Sequence, residues 1–224
     1  MQGVSGSGKS TVGKEIAAKL ALPFVDGDDF HPKENIDKMS RGEPLNDEDR
    51  GPWLRRIREE AIRASTENAD AHNQGRRPIG LVIACSALKK SYRDVLRGKE
   101  QSAFANCQDP DVAAADGSAL PGELCSHELV HPPLPLFFVH LTGAYDTLYE
   151  RMENRKGHYM QKVMLDSQLR TLEPPSEEEK SDDVVQVNID MNTSTEAQVE
   201  FALSGIERRV KDNVNRNDRE NTCA

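Results

Sequence analysis

Cysteine is scarce in this chain. Cys85, Cys107, Cys125 and Cys223 are the four there are, and no two of them form a C-x-x-C. That excludes a zinc ribbon and a disulfide framework, and makes a reducing, cytoplasmic setting the expected one. Long apolar runs are lacking as well. None approaches the roughly 20 residues of a membrane span, and the N-terminus has no signal-peptide apolar core. Positive charge is outnumbered: 29 Lys and Arg stand against 38 Asp and Glu. The formal net charge is −9, which argues against an extended nucleic-acid-binding face. A small anionic ligand remains compatible, provided that a local Arg/Lys cluster works against the overall field.

What is present alternates. Short apolar runs at 22–28 (LPFVDGD), 79–86 (IGLVIACS), 134–143 (LPLFFVHLTG) and 183–190 (DVVQVNID) read as buried strands. Between them lie amphipathic patterns at 9–21, 46–68 (opening at a cap, Asn46 or Asp47), 88–97, 144–155 and 194–211. Strand–helix alternation predicts an α/β fold: a parallel sheet flanked by helices on both faces. Two stretches break the rhythm. Residues 99–133 are rich in Asp, Ala, Gly, Ser and Pro and read as a surface insertion. Residues 212–224 have almost no apolar content and read as a disordered tail.

The first chemistry stands at the start. Residues 3–10, GVSGSGKS, fit the phosphate-loop pattern G-x-x-x-x-G-K-[ST] and lead straight into a helical pattern. Gly3, Gly6 and Gly8 would let backbone N–H groups, including those of Ser5 and Ser7, close around phosphate oxygens. Lys9 would reach the β- and γ-phosphates, Ser10 would hold Mg²⁺, and Thr11 continues into a helix whose positive end faces the phosphates. A nucleotide such as ATP is therefore expected. Asp26 and Asp28 lie where a parallel strand ends beside that loop. One carboxylate there suits a Mg²⁺-bound water and the other an attacking hydroxyl, whereas Asp29 reads as a turn residue. A rival motif, HELVH at 127–131, fits the zinc pattern H-E-x-x-H. It needs a continuous helix, but Pro132 and Pro133 follow at once and Pro121–Gly122 precede it, so it reads as loop.

The segments DGDDFHPKENIDKMSRGEPLNDEDRGPWL (26–54), CSALKKSYRDVLR (85–97), ERMENRKGHYM (150–160) and SQLRTLEPP (167–175) resemble, in order, those of the gluconokinase family. The likeness runs from Gly3 to about residue 211, interrupted by the insertion. It implies a P-loop NTPase-type fold like that of shikimate kinase, and one kinase domain over 1–211 with a lid at about 151–165. It also implies transfer of the γ-phosphoryl of ATP to the 6-hydroxyl of D-gluconate. Gluconate is an anionic polyol, and its carboxylate suits an Arg fork: Arg50 and Arg93 are the candidates, with Lys89 as a third. His31 and Ser86 suit hydroxyls of the polyol, and His158 and Gln168 are further candidate contacts. In the lid-like segment, Arg155 would meet the transferred phosphoryl and Arg151 the adenine or a phosphate. Trp53 reads as a core anchor. The resemblance also implies a homodimer, although no pattern locates its interface.

The phosphate loop normally follows a buried central strand, which should lie between the strands at 79–85 and 134–141. Only Met1 and Gln2 precede Gly3. The expectation is therefore a chain that starts late, lacking about five to ten residues of apolar strand. Two other classes fit the residues: another sugar-acid or polyol kinase of this fold, and a non-catalytic nucleotide-binding remnant.

Overall fold

The computed structural model describes residues 1–73, 80–99, 134–154, 161–190 and 194–222. The HELVH segment and nearly all of the 99–133 insertion lie outside these residues, as do Arg155 and His158. Four strands form, each at an apolar run: β1 (Phe24–Asp26), β2 (Val82–Ala84), β3 (Phe138–Thr142) and β4 (Val184–Asn188). β1 pairs with β2 and β3 with β4, both in parallel, with Phe24 opposite Val82 and Phe138 opposite Val184.

Met1 and Gln2 join the two pairs. The Cys85 N–H donates to the Met1 carbonyl at 2.9 Å. On the other side the Gln2 N–H donates to Val139 (2.8 Å) and the Gln2 carbonyl accepts from Leu141 (2.9 Å), a parallel bridge opposite His140. The spatial order is thus β1, β2, residues 1–2, β3, β4. The central slot lies where the sequence placed it, and two residues span it.

Helices cover both faces of the sheet. Successive strand residues point to opposite sides, and β3 divides accordingly. Val139 and Leu141 join Val185 and Val187 against α1 (Lys9–Leu20), with Val12 and Ile16, and against the last helix, with Val199 and Ala202. Phe138 and Val184 face the other way, onto Trp53, Leu54 and Ile57 of α3 (Asp47–Asn73) and Tyr92, Val95 and Leu96 of α4 (Lys90–Arg97). Trp53 is fully buried, as a core anchor should be. The start of α3 is set by a reciprocal cap. Asn46 Oδ1 accepts from the Asp49 N–H and Asp49 Oδ2 from the Asn46 N–H, both at 2.8 Å. Three acids in the first turn favour the positive helix end.

Some elements depart from expectation. A 3₁₀ turn (Gly27–Phe30) and the eight-residue α2 (Lys33–Ser40) follow β1. Beyond α5 (Tyr145–Glu153) come α6 (Gln161–Thr171) and the short α7 (Glu177–Asp182), which opens on a Ser176/Glu179 capping box. The expected tail is a correction: α8 runs from Thr195 to Thr222. Low apolar content removes a packing face, but polar residues meet no steric bar to a helix.

Candidate active site

The loop between Gln2 and α1 is wrapped tightly. Gly6 has φ +80°, and a Cβ there would stand 2.8 Å from the Leu148 carbonyl. Gly8 caps α1 in the left-handed region, at φ 89°. The Arg151 guanidinium lies 3.7 Å from where a Gly8 Cβ would sit, so this cation flanks the loop. Only glycine leaves this concavity open for a ligand. Lys9 extends back across it, its Nζ 3.0 Å from the Val4 carbonyl. Ser7 is completely buried and its hydroxyl finds no partner among the described residues.

At the end of β1 the Ser10 hydroxyl donates to Asp26 Oδ2 at 3.0 Å, while Asp26 Oδ1 accepts from the Asp28 N–H at 3.2 Å. A hydroxyl and a carboxylate so paired are hard oxygen donors of the kind Mg²⁺ takes in part, with water and phosphate completing its shell. Asp28 projects from the turn with its side chain 80% open to solvent. The surrounding protein, and next the neighbouring Asp26 carboxylate, push its pKa up, while Lys9 and Arg50 pull it down. His31 stacks on Trp53, with ring centroids 4.3 Å apart. Burial first, and Arg50 second, depress His31 to about 4, so its ring is neutral at physiological pH. The Trp53 indole N–H donates to the Gly27 carbonyl at 2.7 Å and fixes the turn that carries Asp28.

Beside these groups opens a cleft of about 520 Å³ between the starts of α3 and α4 and the middle of α6; Leu45, Asp47, Arg50, Lys89, Tyr92 and Gln168 are among its walls. Gln168 links it to the phosphate loop, its Oε1 accepting from the Ser5 N–H at 2.6 Å. Ser86 is half-buried, and its carbonyl accepts from the Gly3 N–H at 3.4 Å. Ala87, next to it, has φ 35°, an uncommon conformation for a residue with a side chain, where the chain turns from β2 toward the cleft.

The three basic candidates separate. Arg50 lies over the Tyr92 ring at 5.9 Å and makes no hydrogen bond to a described residue. Lys89 is clasped by both Asp47 oxygens at 2.7 Å. Arg93 does not join the cleft: it is fully buried, forked onto Glu179 at 2.7 and 2.8 Å and donating to the Glu173 carbonyl at 3.1 Å. Burial favours Arg93 only because Glu179 is brought to it from α7, a pairing across 86 residues that no local pattern announces. Asp47 and Tyr92 were missed as lining residues. The available signal was the i, i+3 spacing of Lys89 and Tyr92, which places them on one face at the start of α4.

A Shikimate kinase family model matches residues 5–115. A probable gluconokinase of Xenopus tropicalis is 40% identical over 195 residues, covering 87% of this chain and 86% of that protein. The thermosensitive gluconokinase of Escherichia coli is 36% identical over 210 residues, covering 94% and 89%. Among solved structures, a gluconokinase from Sinorhizobium meliloti 1021 superposes with a TM-score of 0.66 at 37% identity, covering 96% and 94%. With these relatives spanning most of the chain in both directions, the protein belongs to the gluconokinase family of P-loop kinases.

Proposed function

We propose that this protein transfers the γ-phosphoryl of ATP to the 6-hydroxyl of D-gluconate, yielding 6-phospho-D-gluconate and ADP, by direct in-line displacement. The observation that carries the acceptor is Arg50. Its fork is unspent, it walls a cleft joined to the phosphate loop through Gln168, and it suits a carboxylate. In this reading the loop from Gly3 to Thr11 cradles the phosphates and Lys9 offsets their charge. Ser10 and Asp26 would hold Mg²⁺, which would supply positive charge to offset the negative charge developing on the phosphates. Asp28 orients the acceptor hydroxyl and takes its proton as the oxygen attacks phosphorus. Its raised pKa suits a group that must accept a proton. His31 and Ser86 face the polyol hydroxyls, and Gln168 lines the same path. Arg151, Arg155 and His158 act from the lid, closing the site to water. The same proposal takes in a cytoplasmic setting and a homodimer. No helix among the described residues is long and apolar enough to cross a membrane.

The deciding assay offers ATP·Mg²⁺ with D-gluconate, shikimate, glucose and nucleoside monophosphates in turn, with ATP affinity measured alongside. Turnover on gluconate and not on the others is the expected result. ATP binding without any turnover would support a non-catalytic nucleotide-binding protein, and turnover on another polyol would move the acceptor assignment.

A further inference from the structure

The Lys89 ammonium sits in the cleft wall with 27% of its side chain exposed, clasped by both oxygens of Asp47. Asp47 in turn accepts the Tyr92 hydroxyl, and Tyr92 is itself 1% exposed, so one oxygen of the carboxylate is held by a side chain fixed in the core. Lys89 lies over the Tyr92 ring at 5.5 Å and Arg50 over it at 5.9 Å. Two cations therefore flank one aromatic ring, but only Lys89 has a carboxylate partner among the described residues. Hydrogen bonds from Lys89 and Tyr92, together with the charges of Lys89 and Arg50, hold Asp47 ionised. Against the cost of burying it, they keep its pKa below the ordinary carboxylate range.

Resting on the acceptor reading above, we infer that Asp47 and Lys89 form a neutral pair that sets the charge of the acceptor cleft. The cleft then takes one carboxylate, at Arg50, and turns away acceptors carrying a second negative charge near Lys89. The reason is electrostatic. A substrate carboxylate on Lys89 would have to displace Asp47 or share the ammonium with it, placing two carboxylates within contact of one cation. Arg50 offers a planar fork with no such competitor. Asp47 is thus a specificity-determining residue that acts through Lys89.

The test is a double-substitution cycle read by calorimetric binding, using D-gluconate (one carboxylate), D-glucarate (two, the second replacing the 6-hydroxyl) and neutral D-glucitol as probes, with KM read for D-gluconate alone. Asp47→Asn is expected to tighten glucarate relative to gluconate by about tenfold, and Lys89→Met, which bares Asp47, to weaken gluconate by about tenfold. Removing both charges together should return gluconate to within about twofold of the parent, because the pair was neutral to begin with. A double variant as weak as Lys89→Met would make Lys89 the carboxylate ligand and overturn the inference. So would an Asp47→Asn variant that shifts all three probes equally, the mark of a structural role. A parent that binds neither acid overturns the inference and the acceptor reading together. A parent that binds gluconate without phosphorylating it overturns the reaction alone, and the binding cycle still judges the pair.

Discussion

Lys89 and Arg93 stand one turn apart at the start of α4, and each is gripped by a single carboxylate through two hydrogen bonds. Their surroundings differ completely. Arg93 and Glu179 are 0% and 7% exposed and tie α4 to α7, whereas Lys89 and Asp47 are 27% and 53% exposed and face the cleft. Each region has its own histidine: His140 near Arg93, and His31 near Arg50. Identical chemistry therefore does two jobs. In the dry interior an ion pair is costly to break, so it can hold elements together. At the rim water screens it, so it is cheap to rearrange and free to tune what binds.

The largest expected break in this comparison is Glu179→Ala. It leaves Arg93 charged and buried without its fork, and a loss of about 3–5 kcal/mol of unfolding free energy is expected in a denaturant titration. Arg97 adds to the effect, since its guanidinium also reaches Glu179 at 3.0 Å. Burial raises the Glu179 carboxyl, but its bonds to Arg93, Ser176 and Arg97 outweigh that and hold it near 2, so this network stays intact down to strongly acid pH.

Acid should act through the histidines instead. Burial, reinforced by Arg93, holds His140 at about 4 against 6.5 when unfolded. The folded protein refuses a proton that the unfolded chain accepts. Stability is then full above about pH 6.5, falls as pH drops toward 4 and levels off below, by a total on the order of 3 kcal/mol for this group. Replacing His140 with Asn should flatten the pH dependence of the denaturation midpoint in that window. An unchanged slope would assign the acid sensitivity to His31 or elsewhere.

Next in size, Arg50→Ala should raise KM for gluconate about 10- to 100-fold, the loss of a charge-assisted fork, with little change in melting temperature. Arg50→Lys should recover only part, since a point charge cannot reproduce two parallel bonds. The smallest effect is expected at the rim: Lys89→Met should shift unfolding free energy by no more than about 1 kcal/mol. A shift as large as that of Glu179→Ala would erase the distinction between the two pairs.

The strands were legible because each forms at a short apolar run between longer amphipathic stretches. The phosphate loop was legible because glycine, lysine and serine at that spacing suit one purpose. The position of Asp26 and Asp28 followed from the rule that parallel strands end at the ligand. Less was legible where partners are remote. Nothing near Arg93 in the chain hints at Glu179, and nothing near Lys89 hints at Asp47, 42 residues away. α2, α6 and α7 were not read as helices; α7, at six residues, is too short for a periodic pattern to stand out.

By itself, the sequence determined the α/β alternation, the phosphate-loop motif with the acids at the end of β1, and the family. These rest on local spacing, and local spacing is written in the chain. Which of three similar cations is left unpaired by a carboxylate among the described residues was decided only by the tertiary structure. A cation's role depends on which carboxylate the fold delivers to it and on how much water remains around the pair. Arg93 is tied to Glu179 in the interior, Lys89 is paired with Asp47 at the rim, and Arg50 lines the cleft with its fork unbonded to any described residue.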